Sequence, residues 1–159
     1  MHVTDRFEEY EGEEHDYLKL IEADFGSLLD LPFASAIRAG FPSSAEGYEQ
    51  SSIDFNRDMI RHPEATFYGR VYGDSMVDAG INDGDIAVID RSAEASDGDI
   101  VVAYINGEFT IKYLDLSHRS KGYIELRPAN DAFEAIRISS ADEFEVWGVV
   151  LWTIKKWKG

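Results

Sequence analysis

From Thr66 onward the chain is a succession of short β-branched and aromatic runs, each closed by a turn signal. The runs are Thr66–Tyr72, Ile86–Ile89, Ile100–Ile105, Glu108–Leu114, Tyr123–Arg127 and Glu145–Ile154. Residues of these types suit a pleated, half-buried backbone. Asn106-Gly107, between the third and fourth runs, is a two-residue hairpin signal. Asn82-Asp83-Gly84-Asp85 and Ser96-Asp97-Gly98-Asp99 mark two further turns, each feeding a strand. Short strands at this spacing predict a mostly β, compact and largely antiparallel domain.

The first third of the chain reads differently. Residues 1–16 are polar and acidic without apolar periodicity and are expected to form a flexible tail. Leu18, Ile21, Phe25, Leu28 and Leu29 recur at near-helical spacing, which predicts one amphipathic helical segment or a docking strip over 17–29. Residues 30–50 contain Pro32, Gly40, Pro42, Ser43, Ser44 and Gly47 and are expected to be irregular. Ile53 to Phe55 and Met59-Ile60 form a short apolar patch that ends at His62-Pro63.

Composition excludes several functions. The chain has no cysteine, so disulfide scaffolds, thiolate zinc sites and cysteine nucleophiles fall away, and a reducing cytoplasm is the expected location. No run approaches the roughly 18 apolar residues of a membrane span, and no signal-peptide pattern is recognised, so no membrane association is expected. The formal net charge is −16, of which residues 1–39 carry −7. Affinity for phosphate comes from Lys and Arg, so specific DNA binding is not expected. His2, His15, His62 and His118 lack metal-ligand spacing, and Asp83, Asp85, Asp97 and Asp99 lack the staggered loop and distal glutamate of a calcium site. No metal or other cofactor is expected.

The residues that carry chemistry are Ser75, in Gly73-Asp74-Ser75-Met76, and Lys112, in Phe109-Thr110-Ile111-Lys112. A serine hydroxyl is a poor nucleophile until a base takes its proton, and lysine is one such base. The pair is 37 residues apart and must meet through the fold. Gly73 permits a sharp turn after the first strand, so that the backbone N–H groups of Asp74, Ser75 and Met76 can converge as an oxyanion hole. Asp74 is expected to orient this turn; its ordinary pKa is too low for a general base. Taken alone, Ser75 reads as a turn or cap residue and Lys112 as a solvated lysine on a strand face. Burial would disfavour the charged lysine and turn it into a usable base. Ala39-Gly40 offers a bond flanked by small side chains, which an extended backbone could bring close to Ser75. A flexible linker would have the same composition.

Ala39-Gly40-Phe41-Pro42-Ser43, Gly73-Asp74-Ser75-Met76 with Asp78, Gly80-Ile81 and Asp83-Gly84-Asp85, then Gly107 to Lys112 and Val146-Trp147-Gly148-Val149-Val150, together resemble the LexA/UmuD family of self-cleaving Ser-Lys proteins, in its UmuD branch. The resemblance runs from about Leu31 to about Leu151. It implies a LexA/UmuD-like β-fold peptidase domain over 40–159, preceded by an acidic arm, 1–39, that self-cleavage removes. It further implies Ser75 as nucleophile, Lys112 as general base and a cut between Ala39 and Gly40. The implied partners are a second copy in a homodimer, a RecA-like filament as activator, and an error-prone translesion DNA polymerase of the SOS response. Alternatives are a non-enzymatic interaction module using Trp152, Lys155, Lys156, Trp157 and Lys158, or a self-cleaving repressor. The repressor needs a DNA-binding segment that residues 1–39 do not offer.

Overall fold

The computed structural model describes the backbone of residues 18–22, 31–34 and 50–159, and side chains from Asp54 onward. Among the described residues, ten strands and one short α-helix follow in order: β1 (Leu18–Glu22), β2 (Leu31–Ala34), β3 (Gln50–Ile53), α1 (Phe55–Met59), β4 (Thr66–Val71), β5 (Ile86–Asp90), β6 (Ile100–Ile105), β7 (Glu108–Asp115), β8 (Ile124–Arg127), β9 (Ile136–Ile138) and β10 (Phe144–Ile154). Eight of them form one sheet in the order β1-β4-β5-β10-β6-β7-β8-β9, and β2 pairs with β3 separately. Every pairing is antiparallel. No helix among the described residues is long and apolar enough to cross a membrane.

Local chemistry sets the register. Asn106 and Gly107 both adopt positive φ, 47° and 92°, as the turn between β6 and β7 demands, and Ile105 pairs with Glu108. The two Asp-Gly-Asp turns close in the same way. The Asp85 carboxylate accepts from Asn82 N–H, and the Asp99 carboxylate accepts from Ser96 N–H, each at 2.8 Å. Asp83 and Asp97 instead reach across the fold to accept from Gly73 N–H and Leu116 N–H. Asp85 and Asp99 therefore build their own turns, and Asp83 and Asp97 tie those turns to distant backbone.

Alternation along the strands feeds two cores. Val102, Ile111 and Ile89 pack with Val71, Met76, Ile81 and Ala87 on one face. Val101, Ala103, Leu114 and Val149 pack with Leu126 and Ile138 on the other. β10 crosses the middle of the sheet, with one register shift against β6 and another against β5. Gly148 at its bulge faces Ile89 so closely that a Cβ there would lie 2.6 Å from Ile89 Cγ2.

Two expectations need correction. Of the two readings of 17–29, the helix does not form at Leu18–Glu22; these residues dock as a strip, β1, along the edge of β4, with Leu18 opposite Val71 and Glu22 opposite Phe67. A lone segment of this length gains little as a helix, whereas an open strand edge offers it backbone partners. The segment expected to be irregular contains β2, which pairs with β3 through Leu31 opposite Ile53. Pro32 is tolerated there because a two-stranded ribbon has only edges. The tail of residues 1–16, the rest of the predicted helix and the Ala39-Gly40 bond lie outside the described residues.

Asp90, at the end of β5, is a buried structural acid. It accepts from His62 Nδ1 at 2.7 Å, from Ser92 N–H and Oγ–H, and from Ala93 N–H. Burial opposes its charge, but the hydrogen bonds from His62 and Ser92 outweigh it and hold the carboxyl below the usual range. Its stabilising contribution is therefore complete above the unfolded value of about 3.9 and is lost as pH falls through the lower folded value. Asp90→Asn should cost about 1–3 kcal/mol at neutral pH. It should also flatten the loss of stability below about pH 4. Urea melts in neutral and acid buffer test both; an unchanged acid slope would count against this role.

Candidate functional site

Ser75 stands just beyond the end of β4, after a turn made at Gly73, whose φ is +89°. The 3-10 turn Val77–Ala79 follows and is closed by Gly80. Met76 fixes this segment from below: it is 1% exposed and packs in the first core. Lys112 comes from the middle of β7, opposite Val101 of β6. Both groups are removed from water, Ser75 at 1% and Lys112 at 4% exposure. The solvated-lysine reading of position 112 is thus overturned. The sheet is covered on both faces here, so alternation carries Lys112 into protein on either side.

Lys112 Nζ lies 2.7 Å from Ser75 Oγ, 2.8 Å from Thr110 Oγ1 and 3.0 Å from the Ile111 carbonyl. A neutral amine has two N–H donors and one lone pair. Thr110 Oγ1 and the Ile111 carbonyl are placed to accept from those donors, and Ser75 Oγ is placed to present its proton to the lone pair. A charged lysine fits the same three acceptors, so one cage serves both protonation states.

The backbone of the turn is held from the far side by residues that sequence reasoning did not single out. Ala129 N–H donates to the Ser75 carbonyl at 2.8 Å, and Asp78 N–H donates to the Ala129 carbonyl at 2.8 Å. Asn130 Nδ2 donates to the Asp74 carbonyl at 2.9 Å. The N–H groups of Asp74, Ser75 and Met76 have no acceptor among the described residues. The side chain of Asp74 is exposed, and it is its carbonyl that ties the turn, accepting also from Val77 N–H.

The other candidates separate from this site. Trp147 packs edge-on against Phe67 and Phe109 and under Arg91, as strand-face packing requires. Trp152 is 46% exposed instead, with Nε1 donating to the Met59 carbonyl. It lines an apolar groove of about 530 Å³ with Phe55, Met59, Tyr68 and Ile154. Lys155 pairs with Asp85, while Trp157 is almost fully exposed. His118 lies near Asp115 and Glu125, close enough for the three to share a cation. Arg127 already bridges both carboxylates, at 2.7 and 3.2 Å.

Residues 32–151 match the family model described as Peptidase S24-like. Protein MucA of Salmonella typhimurium is 47% identical over 122 residues, which cover 76% of this chain and 81% of MucA. Protein SamA of Salmonella typhimurium strain LT2 is 40% identical over 124 residues, covering 78% of this chain and 84% of SamA. The LexA repressor of Clostridium perfringens is 38% identical over 109 residues, 69% of this chain and 52% of the repressor.

Proposed function

Because the chain belongs to the Peptidase S24-like family of self-cleaving serine peptidases, among its UmuD-type members, we propose that it cuts its own backbone between Ala39 and Gly40. The observation that carries this reading is the 2.7 Å contact between two buried groups, Lys112 Nζ and Ser75 Oγ. An amine and a hydroxyl so placed form a nucleophile and its base.

The neutral amine of Lys112 takes the Ser75 proton as Oγ attacks the Ala39 carbonyl carbon. The oxygen of the tetrahedral intermediate accepts from the N–H groups of Asp74, Ser75 and Met76, which have no acceptor among the described residues. The ammonium then gives its proton to the Gly40 nitrogen, the C–N bond breaks, and residues 1–39 remain as an ester on Ser75. Water attacks that ester with Lys112 again as base, and the free serine returns. The products are an arm, 1–39, and a β-rich body, 40–159.

In this reading the body is the active accessory subunit of an error-prone translesion polymerase, made in the SOS response and working as a homodimer in the cytoplasm. A RecA-like filament speeds its formation. The exposed groove at Phe55, Trp152 and Ile154 gives such a protein apolar surface for partners.

Mass spectrometry after alkaline incubation tests the reading, with Ser75→Ala as control. A fragment beginning at Gly40 is expected from the wild type and not from the control. Its rate should rise with pH until Lys112 is neutral, then level. A wild type that stays whole, both in alkali and with an activated RecA filament, would leave the interaction module as the better account.

A further inference from the structure

We infer that Asn130 is a positioning residue of the cleavage reaction, and that its side-chain amide aims the oxyanion donors beside Ser75. This inference rests on the self-cleavage reading above.

A trans peptide unit is planar, so its C=O and N–H point in opposite directions. Whatever fixes the carbonyl of one residue therefore fixes the N–H of the next. Asn130 Nδ2 holds the Asp74 carbonyl at 2.9 Å, which sets the direction of Ser75 N–H. Ala129 N–H holds the Ser75 carbonyl at 2.8 Å, which sets that of Met76 N–H. Two adjacent peptide planes are thus pinned through their carbonyls by one loop that is remote in sequence. Their N–H groups are turned away from that loop and have no acceptor among the described residues.

The loop is itself braced. The Asn130 carboxamide oxygen accepts from Ala132 N–H at 2.9 Å, closing a local turn, and Ala129 accepts from Asp78 N–H on the far side of Ser75. Asn130 therefore uses its oxygen to build its own turn and its nitrogen to hold the nucleophile's. An ordinary turn asparagine needs only the first of these bonds. The second bond serves donors that must be aimed before charge develops on the substrate carbonyl, because a hydrogen-bond donor that has to reorient during reaction loses much of its value.

This division of labour supplies a selective variant. Asn130→Asp keeps the oxygen that accepts from Ala132 N–H but replaces the donor with a carboxylate oxygen, which repels the Asp74 carbonyl. Asn130→Ala removes the donor without adding charge. Self-cleavage is followed by mass spectrometry of the full chain from neutral to strongly alkaline pH, together with the melting temperature. Both variants should show a plateau rate lowered by about 10- to 100-fold, part of the loss seen when an oxyanion donor is removed. The midpoint of the pH profile should stay at the wild-type value, because the cage around Lys112 does not include Asn130. The melting temperature of Asn130→Asp should fall by no more than about 8 °C, the effect of one hydrogen bond. A wild-type plateau in either variant would overturn the inference, and so would a moved midpoint or a loss of rate that only tracks unfolding. If the wild type itself yields no Gly40 fragment, the self-cleavage reading fails first and this inference goes with it.

Discussion

Replacing Lys112 by methionine should slow cleavage at Ala39-Gly40 by about a hundred- to ten-thousandfold, the usual worth of a positioned general base. Methionine is unbranched and of similar length, so the strand and its neighbours can stay in place, but it cannot take a proton. The substitution leaves Thr110 Oγ1, Ser75 Oγ and the Ile111 carbonyl without the amine that joins them. The cost of those lost bonds is offset by no longer burying an ionisable group. Stability is therefore expected to change far less than rate. Lys112→Arg should be equally inert, because a guanidinium does not lose its proton. A quenched time course of intact chain against the Gly40 fragment measures the rates. Cleavage of either variant at the wild-type rate would remove Lys112 from the chemistry.

Met76→Ala should damage both the fold and the reaction. Met76 is among the largest fully buried side chains and packs in the core with Val71, Ile81 and Ile89. Truncating such a residue costs about 2–5 kcal/mol, the spread reflecting how far the surroundings collapse. The cavity would open at the residue next to Ser75 in the chain, so the turn that carries the nucleophile would lose an anchor as well. Met76→Leu conserves volume and should cost less than about 1.5 kcal/mol. Denaturant melts paired with cleavage rates distinguish the cases. An alanine variant as stable as the leucine variant would show that the core does not hold this turn.

How much of this was legible beforehand follows from the reach of each signal. The Asn106-Gly107 hairpin and the two Asp-Gly-Asp turns are local, and their chemistry sits in the residues that form them. The six body strands were readable for the same reason, with ends displaced by about a residue. β9, with three residues, is too short for alternation to register. The choice between helix and docking strip at β1 stayed open because spacings of three and four cannot show that a free strand edge lies next to β4. Alternation placed Lys112 opposite Ile111 but could not say which face was wet, since that depends on what covers the sheet. Asn130 gave no signal of its bond to Asp74, which spans 56 residues; only its turn-forming half is written locally.

The pairing of β1 with β4 would change character on the proposed cut. While Ala39 and Gly40 remain bonded, any opening of the β1–β4 pairing is a unimolecular event, and the tether returns the strand at an effective concentration that can reach the millimolar range. After the cut the same hydrogen bonds join two molecules, and their occupancy depends on how dilute the products are. Breaking one peptide bond thus turns a folding equilibrium into a binding equilibrium without altering a single contact in the body. In the proposed product, mass action alone removes the arm at low protein concentration and leaves the edge of β4 open far more of the time than in the uncut chain.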